Sequence, residues 1–307
     1  MPAAIATTVA QPGLIAILAA CERHSNGMGH DQMLKATHAQ KVDAIATEAM
    51  DLLGSGRQVA PFALRFVNFD LKLAYEALAE IRTRRQLRGE TAIGRKLGFT
   101  NRGIWAAHEI SGPIWSYIYD TTVFDLAAVG GTYTLTALTE PRIEPEIALH
   151  IARVPHAGMN DDELLGCIDW VCHAFEIVHS VFRNWHFTAA DAVAAHGLHV
   201  AFLLGEQHDI SADRAAWRRM LSGFDVKLSC DTGAVREGHA SNVLGGPLSA
   251  LRFLVRELAN DPASAPLRAG ELVSTGTLTA AMPVEPGQNW STEIAGAPMQ
   301  GLKVRLG

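Results

Sequence analysis

Residues 142–151 read RIEPEIALHI. Ile143, Pro145, Ile147, Leu149 and Ile151 alternate with Glu144, Glu146, Ala148 and His150, so an extended backbone sends the first set to one face and the second to the other. The period of two predicts a half-buried strand. Two carboxylates on one face either sit in water or hold something positive, and this stretch taken alone suits a solvated outer face.

A second stretch, WVCHAFEIVHSVF at 170–182, changes the weighing. Glu176 shares its strand face with Trp170, Cys172, Ala174 and Val178, a face that reads as buried. An ionised carboxylate there must be protonated, paired or coordinated to a cation, and Arg142 and Arg183 are candidate partners. If Glu176 met Glu144 and Glu146, the three would repel one another unless a hard divalent cation neutralised them, and all-oxygen ligation suits Mg²⁺ or Mn²⁺.

Outward from these strands the texture beyond residue 90 is β-rich and broken by Gly and Pro: TAIGRKLGFT, WSYIYDTTVFDL, GTYTLTALTE, FDVKLSCD, GELVSTGTLTAAMPV and QGLKVRLG. Helical punctuation is expected at DDELLGCIDW and PLSALRFLVRELAND. Toward the N-terminus, THAQKVDAIATEAMDLL stacks Val42, Ile45, Ala46, Met50 and Leu53 on one helical face. DLKLAYEALAEIRTRRQLRGE predicts a second helix capped by Asp70 and stopped at Gly89, with Arg82, Arg84, Arg85 and Arg88 as a solvated face that complements the helix dipole. The expected organisation is an N-terminal extension (1–35), a helical region (36–90) and a β-rich body (91–307), an α+β fold.

The chain has 307 residues, 48% apolar and 19% charged, with a formal charge of −6. This is a globular composition with no basic footprint for nucleic acid. Cys21, Cys167, Cys172 and Cys230 form no CxxC pattern, which argues against a disulfide framework and fits a reducing cytoplasm. GLIAILAAC at 13–21 is too short to span a bilayer, which takes roughly 20 apolar residues. It ends in LAAC but lacks a positive n-region, so an amphipathic first helix is expected there rather than an export signal.

The blocks GRKLGFTNR, PIWSYIYD, RIEPEIA, FEIVHS, DAVAAHGLH with LLG, NVLGGPLSAL and STGTLTAAMPVEPGQ follow one another in that order. Together they resemble the 2-keto-4-pentenoate hydratase and 4-oxalocrotonate decarboxylase branch of the fumarylacetoacetate hydrolase superfamily, from about residue 60 to the end. The resemblance implies a mixed β-roll body that binds one Mg²⁺ through Glu144, Glu146 and Glu176 and acts on a small 2-keto acid. It implies Lys96 as an active-site lysine, Asp120 as an acid/base or an orienter of Lys96, and Thr279 as a substrate contact. Gly94 and Gly98, which share a strand face with Lys96, would let substrate approach closely. A homo-oligomer is implied by family analogy.

Two blocks depart from the pattern. EIVHSV places His179 and Val181 where many relatives carry an acid and a base. DAVAAHGL keeps Asp191 as a substrate-side residue but has Ala195, His196 and Leu198 in place of Asp, Asn and Ser. His186 or His196 could then supply acid/base function, while AHGLH, with no HExxH or thiolate pair, argues against zinc. The resemblance implies Mg²⁺-dependent hydration of a 2-hydroxy-2,4-dienoate from aromatic ring cleavage. The alternatives are decarboxylation of a vinylogous 2-keto diacid, hydrolysis of a carbon–carbon bond using Glu109 and His108, or a non-catalytic metal-binding relative.

Overall fold

The computed structural model describes residues 37–105, 112–261 and 263–307. The N-terminal extension with its apolar stretch, Cys21, and the Glu109–His108 pair lie outside the described residues.

The chain forms α1 (His38–Leu52), α2 (Leu71–Leu87), β1 (Ala92–Gly98), β2 (Ile114–Tyr119), β3 (Val123–Asp125), β4 (Thr132–Tyr133), β5 (Arg142–Ile151), α3 (Asp161–Leu165) and β6 (Ile168–Val178). It continues with α4 (Ala189–Ala194), β7 (His199–Asp209), α5 (Arg214–Gly223), β8 (Asp225–Cys230), β9 (Val235–His239), α6 (Pro247–Asn260), β10 (Leu272–Ser274), β11 (Met282–Pro283), β12 (Asn289–Ala295) and β13 (Lys303–Leu306). The α+β expectation with N-terminal helices and a curled mixed sheet is met.

Each N-terminal helix starts at a side-chain cap, the second at the Asp70 expected from the sequence. The Thr37 hydroxyl accepts from Gln40 N while the Gln40 side chain accepts from Thr37 N, a capping box. Asp70 Oδ1 accepts from Leu73 N, and Gly89 at φ +90° ends α2. The arginine run of α2 is not uniformly solvated. Arg84 pairs with Glu80 and Asp43, whereas Arg85 is buried, paired with Glu90 and stacked 3.7 Å above the Tyr119 ring. A guanidinium can pack flat on an aromatic face, and that property lets Arg85 enter the interior.

The larger sheet runs β2-β1-β10-β5-β6-β7-β3, with β11 also paired to β5, and the smaller runs β4-β13-β12-β8-β9. Ile143, Phe175, Ile177 and Leu203 of the larger sheet pack on Leu228, Trp290, Val304 and Leu306 of the smaller. Ile147, Leu149, Val171, Trp115 and Tyr117 share a second core with Ile45, Leu73 and Leu78 of α1 and α2 and with Leu251 and Leu254 of α6. The buried His173 ties the layers by bonding Glu146 O and Thr292 Oγ1, each at 2.9 Å.

Three local expectations are corrected. DDELLGCIDW is helical only to Leu165, because Gly166 ends the turn and Ile168–Trp170 already belong to β6. Helix α5, capped by Asp213 and burying Trp217 and Leu221, was not expected from the arginine-rich RAAWRRMLSG. Gly94 serves packing rather than substrate approach, since a Cβ there would lie 2.4 Å from Leu272 O of the neighbouring β10. Cys167, Cys172 and Cys230 are buried free thiols, and no helix of the described residues is long and apolar enough to cross a membrane.

Candidate metal centre

The antiparallel register of β5 and β6 sets Glu144 directly opposite Glu176 and Glu146 opposite Ala174. Cross-strand partners share a face, so all three carboxylates project to the same side of the curl. One oxygen from each lies within 4.8 Å of the others, the one group of three or more potential ligating side chains among the described residues. Glu146 and Glu176 are fully buried and Glu144 is half-buried.

Each member is held from a different direction. Glu146 Oε2 accepts from Ser274 Oγ and, at 3.1 Å, from Gly276 N. Gly276 sits at φ +98°, and a Cβ there would meet Thr100 Oγ1 at 2.0 Å, so only glycine lets this N–H reach the carboxylate. His199 Nδ1 lies 2.6 Å from Glu176 Oε1. Lys96 Nζ lies 3.1 Å from Glu176 Oε2 and donates to Gly197 O at 3.1 Å.

Two carboxylate oxygens are buried with no hydrogen bond: Glu146 Oε1, and Glu176 Oε2, which faces the Lys96 ammonium as an ion pair at 3.1 Å. Burial lifts the Glu144 carboxyl up to about 7, with Lys96 pulling it down and Glu176 pushing it up. Burial, Glu176 and Glu144 together raise Glu146 well above the carboxylate range. Burial alone would also raise Glu176, but Lys96 and His199 outweigh it and hold this carboxyl low. Burial disfavours the Lys96 ammonium, yet the three carboxylates more than compensate and raise its pKa. One cation is thus shared among three acids. The donor set is all oxygen, with two oxygens unspent, and it fits a hard divalent ion.

Lys96 therefore joins the three glutamates, while the other expected residues are placed differently. Asp120 is exposed and its Oδ1 accepts from Thr91 N at 2.9 Å, so it closes a turn rather than orienting Lys96. Asp191 is buried but accepts from Thr188 N, Thr188 Oγ1 and Ala63 N, which makes it the N3 half of the capping box that Thr188 opens on α4 and a tie to the 61–64 segment. His186 is exposed beyond the 3-10 turn at Arg183–Trp185. Thr279 is buried with its hydroxyl donating to Ala280 O, and its loop reaches the carboxylates through Ser274 and Gly276 instead.

His196 is buried, its Nε2 3.2 Å from Ala49 O. A carbonyl only accepts, so Nε2 carries the proton and Nδ1 is a bare lone pair, buried without a partner. It lines a small cavity with His179, His199, Ala49, Leu52, Leu53, Val181 and Ala195. His199 and Ser274 were not among the sequence candidates. His199 ends the AHGLH stretch, which carried no face assignment, and nothing around Ser274 marks it before β10 is aligned with β5.

The fold agrees with what known proteins show. A family profile described as fumarylacetoacetate (FAA) hydrolase C-terminal matches residues 120–304, and the chain belongs to that family. A 4-oxalocrotonate decarboxylase of Pseudomonas sp. (strain CF600) is 30% identical over 73% of this chain and 81% of its own length. A 2-hydroxyhexa-2,4-dienoate hydratase of Comamonas testosteroni is 26% identical over 84% of this chain and 95% of its own. Among solved structures, the 4-oxalocrotonate decarboxylase from Pseudomonas putida G7, complexed with magnesium and adipate, superposes with a TM-score of 0.78 at 26% identity, covering 88% of this chain and 98% of that one. The chain is an enzyme of this lyase-rich group.

Proposed function

We propose that the protein is a divalent-metal-dependent hydratase that adds water to a 2-hydroxy-2,4-dienoate, equivalently a 2-keto-4-enoate, of the kind released by aromatic ring cleavage. Glu144, Glu146 and Glu176 would hold one Mg²⁺ or Mn²⁺. When bound, the ion supplies Lewis-acid stabilisation for the negative charge that develops on a 2-keto acid. The observation that carries the reading is the pair of buried carboxylate oxygens left without hydrogen bonds beside a buried ammonium.

Lys96 sits as the ammonium beside the three carboxylates, which raise its pKa in the metal-free protein, and its work is that of a fixed cation and proton donor to a developing enolate oxygen. Burial, with Arg85 adding, pushes His196 down to about 3, so its Nδ1 is a neutral acceptor that can orient a water or hydroxyl. Around it, Ala49, Leu52, Leu53, Val181 and Ala195 form an apolar wall that excludes bulk water. Hydratase relatives aligning over 84% of the chain support the same choice.

Decarboxylation of a 2-keto diacid is the second reading, and Arg142 favours it. This guanidinium sits 4.0 Å over the Trp185 ring, on the same strand face as Glu144, and makes no ion pair among the described residues. It is positioned to receive a second carboxylate.

The test follows the ultraviolet absorbance of a 2-hydroxy-2,4-dienoate and of 4-oxalocrotonate with the protein, with and without EDTA, and weighs the products. Gain of water by the dienoate, abolished by EDTA and restored by Mg²⁺, is expected. Loss of CO₂ from the diacid without hydration of the dienoate would select the second reading, and inertness toward both would refute each.

A further inference from the structure

The turn that leads into β7 touches both members of the Lys96–Glu176 pair. His196, Gly197 and Leu198 carry φ values of +57°, +65° and +60°, a run of left-handed residues that non-glycine side chains seldom enter. The turn presents Gly197 O to Lys96 Nζ at 3.1 Å, and the next residue presents its imidazole to Glu176. A Cβ on Gly197 would come within 2.8 Å of Ser116 Cβ and 3.2 Å of Lys96 Cδ, so the turn is pressed against the lysine stem.

His199 is buried and spans two fixed points, Glu176 Oε1 at 2.6 Å from Nδ1 and Thr122 Oγ1 at 2.9 Å from Nε2. A carboxylate oxygen accepts, so Nδ1 carries the proton toward Glu176. Nε2 then accepts, so the Thr122 hydroxyl, which accepts from Tyr119 N, anchors the far side of the ring by donating its one proton to Nε2, with Tyr119 O as the competing acceptor at 2.9 Å. One oxygen of Glu176 is therefore consumed by the imidazole, while Oε2 faces Lys96 with no hydrogen bond.

We infer that His199 is a positioning residue that locks the carboxylate plane of Glu176 so that a single oxygen, Oε2, is offered to the divalent ion. This rests on the metal reading above and adds to it the group that orients one ligand. Without the imidazole the carboxylate can rotate, and Lys96 Nζ can then pair with either oxygen in competition with the ion. Outer hydrogen-bond partners of ligating side chains usually change metal affinity about 10–100-fold when removed.

The test compares Mn²⁺ and Mg²⁺ affinity, by calorimetry on metal-stripped protein, for wild type, His199→Leu and His199→Asn, with thermal melts of each metal-free protein. Leu keeps the volume without the donor, whereas Asn keeps an amide N–H. Weakening on the order of 10–100-fold in the Leu variant, with the Asn variant recovering most of it, is expected. Equal affinities in the Leu and Asn variants would overturn the inference, even if both melt lower than wild type. Absence of any Mn²⁺ or Mg²⁺ binding by wild type would overturn the metal reading itself and this inference with it. If the Leu variant does not fold, Thr122→Val tests the far anchor. It should weaken binding in the same direction, and an unchanged affinity there would overturn the inference.

Discussion

Lys96 Nζ lies 3.1 Å from Glu176 Oε2, and both side chains are buried. The pair joins adjoining parts of the larger sheet: β1 carries the lysine and β6 the glutamate, with β10 and β5 between them. Replacing Lys96 by Met should lower turnover about 10²–10⁴-fold, the usual range for a group that moves or matches a proton in the transition state. Metal affinity should not fall, because the variant removes a competing cation. Near wild-type turnover in the same ultraviolet assay would remove Lys96 from the mechanism.

Asp120 gives the opposite expectation. Its carboxylate caps Thr91 N at the surface, so Asp120→Asn should leave turnover within about threefold of wild type and cost about 0.5–1.5 kcal/mol of stability at most. A loss of turnover comparable to that of the lysine variant would mean that the acidic group reaches the substrate after all.

The backbone contact at Gly94 predicts a packing failure. With Leu272 O only 2.4 Å from where a Cβ would stand, Gly94→Ala must push β1 and β10 apart, at about 1–3 kcal/mol. Denaturant melts measure this directly, and an unchanged midpoint would show that the strands accommodate the methyl.

Acid should destabilise the fold through its buried imidazoles. Burial pushes His179 down to about 4 and, with Arg85 adding, His196 to about 3, whereas an imidazole in the unfolded chain titrates at about 6.5. Above pH ~7 both states are neutral and contribute no pH dependence. As pH falls below ~6.5 the unfolded chain takes protons that the folded chain refuses, so stability is lost down to the folded values, by about 2 kcal/mol per histidine at pH 5. Glu144 and Glu146, raised by burial, take protons in the folded metal-free protein over the same interval and oppose this loss, so the comparison is with a variant: the melting temperature of His196→Gln should be less acid-sensitive than that of wild type between pH 7 and 5. Equal acid sensitivity of wild type and variant would contradict the burial of His196 as a neutral group.

Much of the site was legible because strand alternation is a strong signal. RIEPEIALHI declared which residues share a face, and Glu176 declared itself by standing among apolar neighbours. Their convergence needed the β5–β6 register, which alternation leaves open by any even step. Lys96 came from the resemblance, since its alternation with glycines looked like room for substrate and proved at Gly94 to be room for a strand. Asp120, Asp191 and His186 misled for one physical reason. Acidic and imidazole side chains near turns are as apt to satisfy backbone N–H groups, or to face solvent, as to serve a ligand. His199 was hidden because its value depends on two partners, Thr122 and Glu176, that are remote from it in sequence.

The central claim is that Glu144, Glu146 and Glu176 together hold one hard dication. Calorimetric titration of metal-stripped protein with Mg²⁺ or Mn²⁺, beside Glu146→Gln, tests it most directly, because Glu146 is fully buried and keeps one oxygen without a partner. Saturable binding of a single ion per chain, lost in the Gln variant, is the predicted result. No binding by the wild-type protein, or equal binding by the variant, would contradict it.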